Sequence, residues 1–268
     1  MIRSSHLLLV MFSAFAVADV ARADSGISAT SEPEPPAPRY PRSVIDRPLT
    51  LPEGLLSAGA DFGGNHDLSA MTTAPIIGYG ITDKLEIQVP YAFGARALEP
   101  RGLLGADLGY MLLRGALDGK LEAIARVRGG YSVLDNAPAP LMIGVHVQYN
   151  ALPWLAFITG APGTQQLRIS LANDKDSMKP MDLSLPLGIG LQPFKTLYLE
   201  VDTKIAQWNL HQSQNALLFK DTTPVSLTAV WNVLPQLDVQ GSIGTDVSNS
   251  PGNALSFLIG ARYYAGQL

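Results

Sequence analysis

The sequence predicts an all-β fold, a transmembrane antiparallel up-and-down β-barrel of about twelve strands. Three observations carry that reading. The chain opens with an export signal, its body alternates polar and apolar residues with a period of two, and tight turns alternate with longer polar loops.

The export signal occupies residues 1–23. Arg3 supplies a positive start, Leu7 to Ala18 an apolar run, and Ala21-Arg22-Ala23 a small-x-small cleavage site, the three parts of a secretory signal peptide. The apolar run is shorter than the roughly 20 residues a membrane helix needs, so cleavage after Ala23 is expected rather than anchoring. The chain has no cysteine, which excludes a lipid-modified cysteine, a disulfide framework, a CxxC redox pair and a thiolate zinc site. A formal net charge of −4 without a basic run argues against a nucleic-acid partner. Apolar residues make up 47% of the chain, yet no run after the signal reaches membrane-helix length. A barrel hides its lipid-facing residues in this way, alternating them with lumen residues.

Residues 24–51 form a proline-rich periplasmic lead-in. Glu32-Pro33-Glu34-Pro35-Pro36-Ala37-Pro38 cannot donate a regular ladder of hydrogen bonds and reads as extended polyproline. Two roles are open for the lead-in, a plain tether and a plug folded into the barrel mouth.

The barrel is assigned to 52–268. Leu85-Glu86-Ile87-Gln88-Val89, Val145-His146-Val147-Gln148-Tyr149-Asn150 and Leu199-Glu200-Val201-Asp202-Thr203-Lys204-Ile205 alternate cleanly, giving strands one apolar and one polar face. Tight turns fall at Thr82-Asp83-Lys84, Leu117-Asp118-Gly119-Lys120, Leu152-Pro153, Pro193-Phe194-Lys195-Thr196 and Leu234-Pro235-Gln236. Looser loops fall near 64–69, 97–102, 134–140, 173–180, 211–221 and 248–253. Short turns on one side and long loops on the other are the pattern of outer-membrane barrels, and the even count puts both chain ends on the periplasmic side. Trp154 to Ala172, interrupted by Ala161-Pro162-Gly163, reads as one kinked strand, since two would break that parity. The outward parity sorts Tyr79, Tyr149, Trp231 and Tyr263 toward the periplasmic end and Tyr91, Phe93 and Tyr131 toward the other, as two interfacial aromatic belts require.

The inward parity supplies the candidate pore lining. Its acids are Glu86, Glu122, Glu200, Asp202 and Asp238, and its bases are Arg126, Arg128, Arg168, Lys204 and Arg262, with His146 between them. Gln88, Gln148 and Asn150 share that face. Acids and bases nearly balance, which suits either an internal salt-bridge network or a polar conduit without strong ion preference. His66, His146 and His211 are isolated, with no HExxH spacing, so no metal site is expected. Gly59 to Gly64 lacks the phosphate-loop pattern, and no cofactor is implied.

Gly78-Tyr79-Gly80-Ile81-Thr82-Asp83-Lys84-Leu85-Glu86-Ile87 resembles the glycine-spaced strand, tight turn and acidic-alternating strand of proteobacterial outer-membrane barrels. Arg47-Pro48-Leu49-Thr50-Leu51-Pro52-Glu53-Gly54 is similar to the lead-ins of porin-like barrels, and the resemblance spans 47–268. It implies the outer membrane of a Gram-negative bacterium, with outer-membrane lipids, lipopolysaccharide and the barrel-assembly machinery as partners. Such barrels finish on an aromatic residue that the machinery reads. This chain departs from that pattern, running on from Tyr263-Tyr264 to Leu268. The implied function is a passive porin for small hydrophilic solutes.

Two other functions compete. His211-Gln212-Ser213 resembles the His-x-Ser pair of outer-membrane phospholipase A, and the i,i+2 spacing puts base and hydroxyl on one strand face. The orienting Asn that the family places in the next strand is missing from Thr222-Thr223-Pro224-Val225, so no enzyme is expected and a solvated loop is the simpler reading. A structural or binding barrel without transport is the second competitor, and a soluble periplasmic β protein is a further possibility that fractionation would expose.

Overall fold

The computed structural model describes residues 40–68, 71–94, 102–133, 136–159, 167–169, 181–209, 224–247 and 255–266. Period-two segments become twelve antiparallel strands: β1 Leu56–Asn65, β2 Met71–Thr82, β3 Leu85–Gly94, β4 Leu103–Gly115, β5 Leu121–Ser132 and β6 Leu141–Leu152. They continue as β7, β8 Met181–Phe194, β9 Leu197–Asn209, β10 Pro224–Leu234, β11 Leu237–Asp246 and β12 Ser256–Ala265. β7 runs in two pieces, Leu155–Thr159 and Leu167–Ile169, and both pair with β6 on one side and β8 on the other. It is one interrupted strand, as parity demanded. The Ala161-Pro162-Gly163 interruption itself lies outside the described residues. A two-residue bridge, Ala137–Pro138, extends the long-loop edge of β5.

Each strand pairs with its sequence neighbour, and β1 pairs with β12 from Leu56↔Ala265 to Asn65↔Ser256. That last ladder closes the wall. Closure matters because a sheet in lipid has no water to satisfy an open edge. Full strands of 10 to 14 residues match the length a tilted strand needs to cross a bilayer. Four connections at one end contain only two residues, Asp83–Lys84, Pro153–Trp154, Lys195–Thr196 and Pro235–Gln236. Each is flanked by a shift of register in its ladder, between Gly80/Thr82, Asn150/Leu152, Leu191/Phe194 and Asn232/Leu234, a local irregularity that sharpens the strand bend at the turn.

Alternation along the strands sets the two faces. In β4, Ala106, Leu108 and Tyr110 are exposed while Gly105, Asp107 and Gly109 are buried. Ile77, Val127, Ile189, Leu227, Ile243 and Ile259 continue the apolar outer face around the wall. Tyr79, Tyr110, Trp154, Phe157, Trp231 and Tyr263 gird it near the short turns. At the long-loop end Tyr131 lies outward, and Phe62 packs on Phe257 and Tyr91 on Phe93. Among the described residues no helix is long and apolar enough to cross a membrane; the crossing elements are strands.

Candidate functional site

The lumen face of the wall carries ion pairs between side chains of nearby strands. On β3, β4 and β5, Arg126 pairs with Glu86 and lies 3.4 Å from Asp107. Arg128 donates to Asp107 Oδ2 from Nε at 3.0 Å and from Nη2 at 2.8 Å. The register puts Gly109 between Glu86 and Arg126. A side chain there would collide with Glu86 Cγ at 3.0 Å and Ile124 Cδ1 at 2.8 Å, so glycine is what lets the carboxylate reach across a strand. Across the ring, Arg262 forks onto Asp61 at 2.9 and 2.6 Å, and Gln240 donates to the same carboxylate at 2.8 Å. Such paired geometry is what makes buried charge tolerable.

The short-turn end is occupied by the chain's own residues 40–55, hereafter the strap. Its single 3-10 turn, Val44–Asp46, sets Ile45 against Ala156, Ile158 and Tyr198. The Ile45 N–H donates to Gln192 Oε1 at 3.2 Å, and its carbonyl accepts from Gln148 at 3.0 Å and Asn150 at 3.1 Å. The Leu49 N–H donates to Glu122 at 3.2 Å and the Leu51 N–H to Glu86 at 2.7 Å. Leu51 and Leu55 cluster with Tyr264. The wall thus supplies the donors and acceptors that an extended segment without a ladder of its own requires.

Arg47 ties the strap to β11 through a buried ion pair. Its guanidinium forks onto Asp238, with Nη2 to Oδ1 at 3.0 Å and Nη1 to Oδ2. It lies over the rings of Tyr40 at 4.9 Å and Tyr264 at 5.5 Å. Burial acts to lower the Arg47 pKa, yet the Asp238 hydrogen bond and the surrounding charge raise it above its ordinary value. Burial likewise pushes the Tyr40 hydroxyl well above the usual tyrosine range, so a neutral ring faces the cation.

Against the sequence-derived lining, Glu86, Arg126, His146, Glu200 and Asp238 are buried, and Glu122, Arg128, Asp202, Lys204 and Arg262 are half-buried. The Glu86, Arg126 and Arg128 side chains meet in one network, whereas Asp202 accepts from Ser226 and Glu200 from Tyr198 at 2.9 Å. Arg168 sits in register opposite Met142 and Asp182; its side chain lies outside the described residues. Asp61, Asp107, Asn232, Tyr198 and Arg47 belong to the same interior and were not among the sequence candidates. Asp107 sits between inward glycines that leave a face unmarked, and Arg47 lies in a segment with no period at all. His211 and Ser213, the candidate hydrolytic pair, lie outside the described residues. Among the described residues no cluster of His, Asp and Glu could hold a metal ion.

Cavities lie among the described residues of the interior. One, of about 260 Å³, is lined by strap residues Arg47 and Leu49 and by wall residues including Glu86, Arg126, His146, Glu200 and Arg262. A second, of about 240 Å³, lies nearer the long loops between Asp202, Lys204, Ser226 and Asp246.

No protein-family model matches the sequence, and no curated protein matches it. Solved structures match its fold. The NanC porin superposes with a TM-score of 0.53 at 9% identity, over 78% of this chain and 98% of NanC. The KdgM porin does so with a TM-score of 0.53 at 7% identity, over 77% of this chain and 98% of KdgM. At such identities the likeness is one of architecture: this chain is a closed twelve-stranded β-barrel with the fold of outer-membrane porin-type proteins.

Proposed function

We propose that the protein is a passive outer-membrane channel for small hydrophilic solutes, with its short-turn, strap-bearing end toward the periplasm. The observation that carries this reading is the pairing of an apolar outer wall with an interior of charged and hydrogen-bonding side chains. Exposed apolar girdles call for lipid around the barrel, outer-membrane phospholipid and lipopolysaccharide being the matching surroundings. A wall lined by both signs of charge favours hydrated, polar passengers over apolar ones. The NanC and KdgM structures, both named porins, support the reading by analogy of fold.

Single-channel recording on the purified, refolded protein tests it. Discrete conductance steps in planar bilayers are expected, together with no release of fatty acid from phospholipid above background. Hydrolysis that disappears in Ser213→Ala would replace the channel by an enzyme, and silence in both assays would leave a structural barrel.

A further inference from the structure

The described buried aspartates of the wall are neutralised in two different ways. Asp107 is matched by Arg126 and Arg128, which belong to the wall itself. Asp238, 3% exposed, takes its counter-ion from the strap. The wall nevertheless holds that carboxylate ready for a planar cation. Asn232, 1% exposed, donates Nδ2 to Asp238 Oδ1 at 2.8 Å and fixes its orientation. Tyr264 offers a ring face 5.5 Å from the guanidinium carbon. Within the strap, Arg47 Nε donates to the Pro41 carbonyl at 2.7 Å and Nη2 to that of Arg42 at 3.5 Å. Arg42 of the strap reaches the same corner, donating Nε to Asn232 Oδ1 at 2.6 Å.

An oriented carboxylate beside an aromatic face is the chemistry that recognises guanidinium, and less specifically ammonium, groups. Emptying the corner leaves a buried carboxylate without a counter-ion, a strongly unfavourable state that another cation relieves. We propose that Asp238, Asn232 and Tyr264 form a recognition site for a guanidinium or primary ammonium group, which Arg47 occupies as a tethered surrogate. A solute bearing such a group exchanges with Arg47 as it passes the strap. The exchange during passage rests on the channel reading; the binding does not.

The test uses methylguanidinium as the probe and the full chain, refolded in detergent and checked for folding by its heat-modifiable gel mobility. Calorimetric titration of Arg47→Gln should show binding roughly tenfold or more tighter than in the unmodified protein, where Arg47 competes. The double variant Arg47→Gln/Asp238→Asn should lose that binding. Should Arg47→Gln fail to fold, Arg47→Lys keeps the charge but gives up the fork, and methylguanidinium should displace it more readily than it displaces Arg47. A folded variant with a vacated site that does not bind, or binding indifferent to Asp238→Asn, overturns the proposal. In planar bilayers, millimolar methylguanidinium should raise the conductance of the unmodified protein. Conductance that ignores the probe overturns the exchange and leaves the channel intact. Absence of conductance in every variant overturns the channel reading, and calorimetry still decides the site.

Discussion

At Val201 the β9 backbone turns a branched apolar side chain outward, 46% exposed, while Asp202 turns inward and accepts from the Ser226 hydroxyl. One residue step therefore separates two solvents. Val201→Arg should destabilise the refolded barrel by about 2–4 kcal/mol, the range for a cation on the lipid face near the bilayer midplane. Asp202→Asn keeps an oxygen facing Ser226 and should stay within about 1 kcal/mol of the parent. Equilibrium unfolding in lipid vesicles distinguishes them, and equal losses would mean the parity of β9 is wrong. Period two made this sidedness legible wherever large polar and apolar residues alternate, as in Glu86-Ile87-Gln88-Val89. It failed at Asp61 and Asp107. Each has glycine two residues away on either side, Gly59 and Gly63 for one, Gly105 and Gly109 for the other, and a residue without a side chain marks no face. Of these, Gly59 and Gly109 make room for the ion pairs, since a β-carbon there would meet Arg262 and Glu86, so part of what hid the acids is also what their contacts need.

Among the elements, the strands and short turns were readable because their signals are local, whereas the strap was not. Its side-chain hydrogen bonds reach as far as 191 residues along the chain, in the case of Arg47 and Asp238, and nothing within 40–55 repeats. The sequence left the lead-in as tether or plug. A local clue to the strap's course lies in β2. A β-carbon on Gly80 would sit 1.9 Å from the Pro52 carbonyl oxygen and 2.5 Å from that of Leu51, both backbone atoms that no rotamer change can move. Glycine at 80 is what allows the chain to turn at Pro52–Gly54 from lumen into wall. Gly80→Val should therefore push the strap's exit out of place while the β2–β3 ladder still forms. Limited trypsin digestion of the folded, heat-modifiable band should cut after Arg42, which precedes Ser43, several times faster than in the parent. Unchanged cleavage with normal folding would show that the turn relaxes around the new side chain.

At the scale of the whole molecule, the wall and the strap depend on one another unequally. The barrel closes through the β1–β12 ladder, whose first pair, Leu56↔Ala265, begins beyond the strap. The strap, in contrast, has no ladder over 40–53 and draws its backbone partners there largely from side chains of the wall. Deleting 24–50 should therefore leave a closed barrel, recognisable by its heat-modifiable mobility. Stability should fall, since Ile45 leaves its contacts with Ala156, Ile158 and Tyr198 and Asp238 loses its counter-ion. The vacated wall at that level is polar, with Gln148, Asn150, Gln192, Asn232 and Glu122 released from strap hydrogen bonds, so water fills the space rather than collapse of the ring. Conductance in planar bilayers should consequently rise several-fold over the full chain. A barrel that fails to close would make the strap part of the folding core. A barrel that closes with unchanged conductance would shift the constriction to the Glu86–Arg126–Asp107 network, which the deletion does not touch.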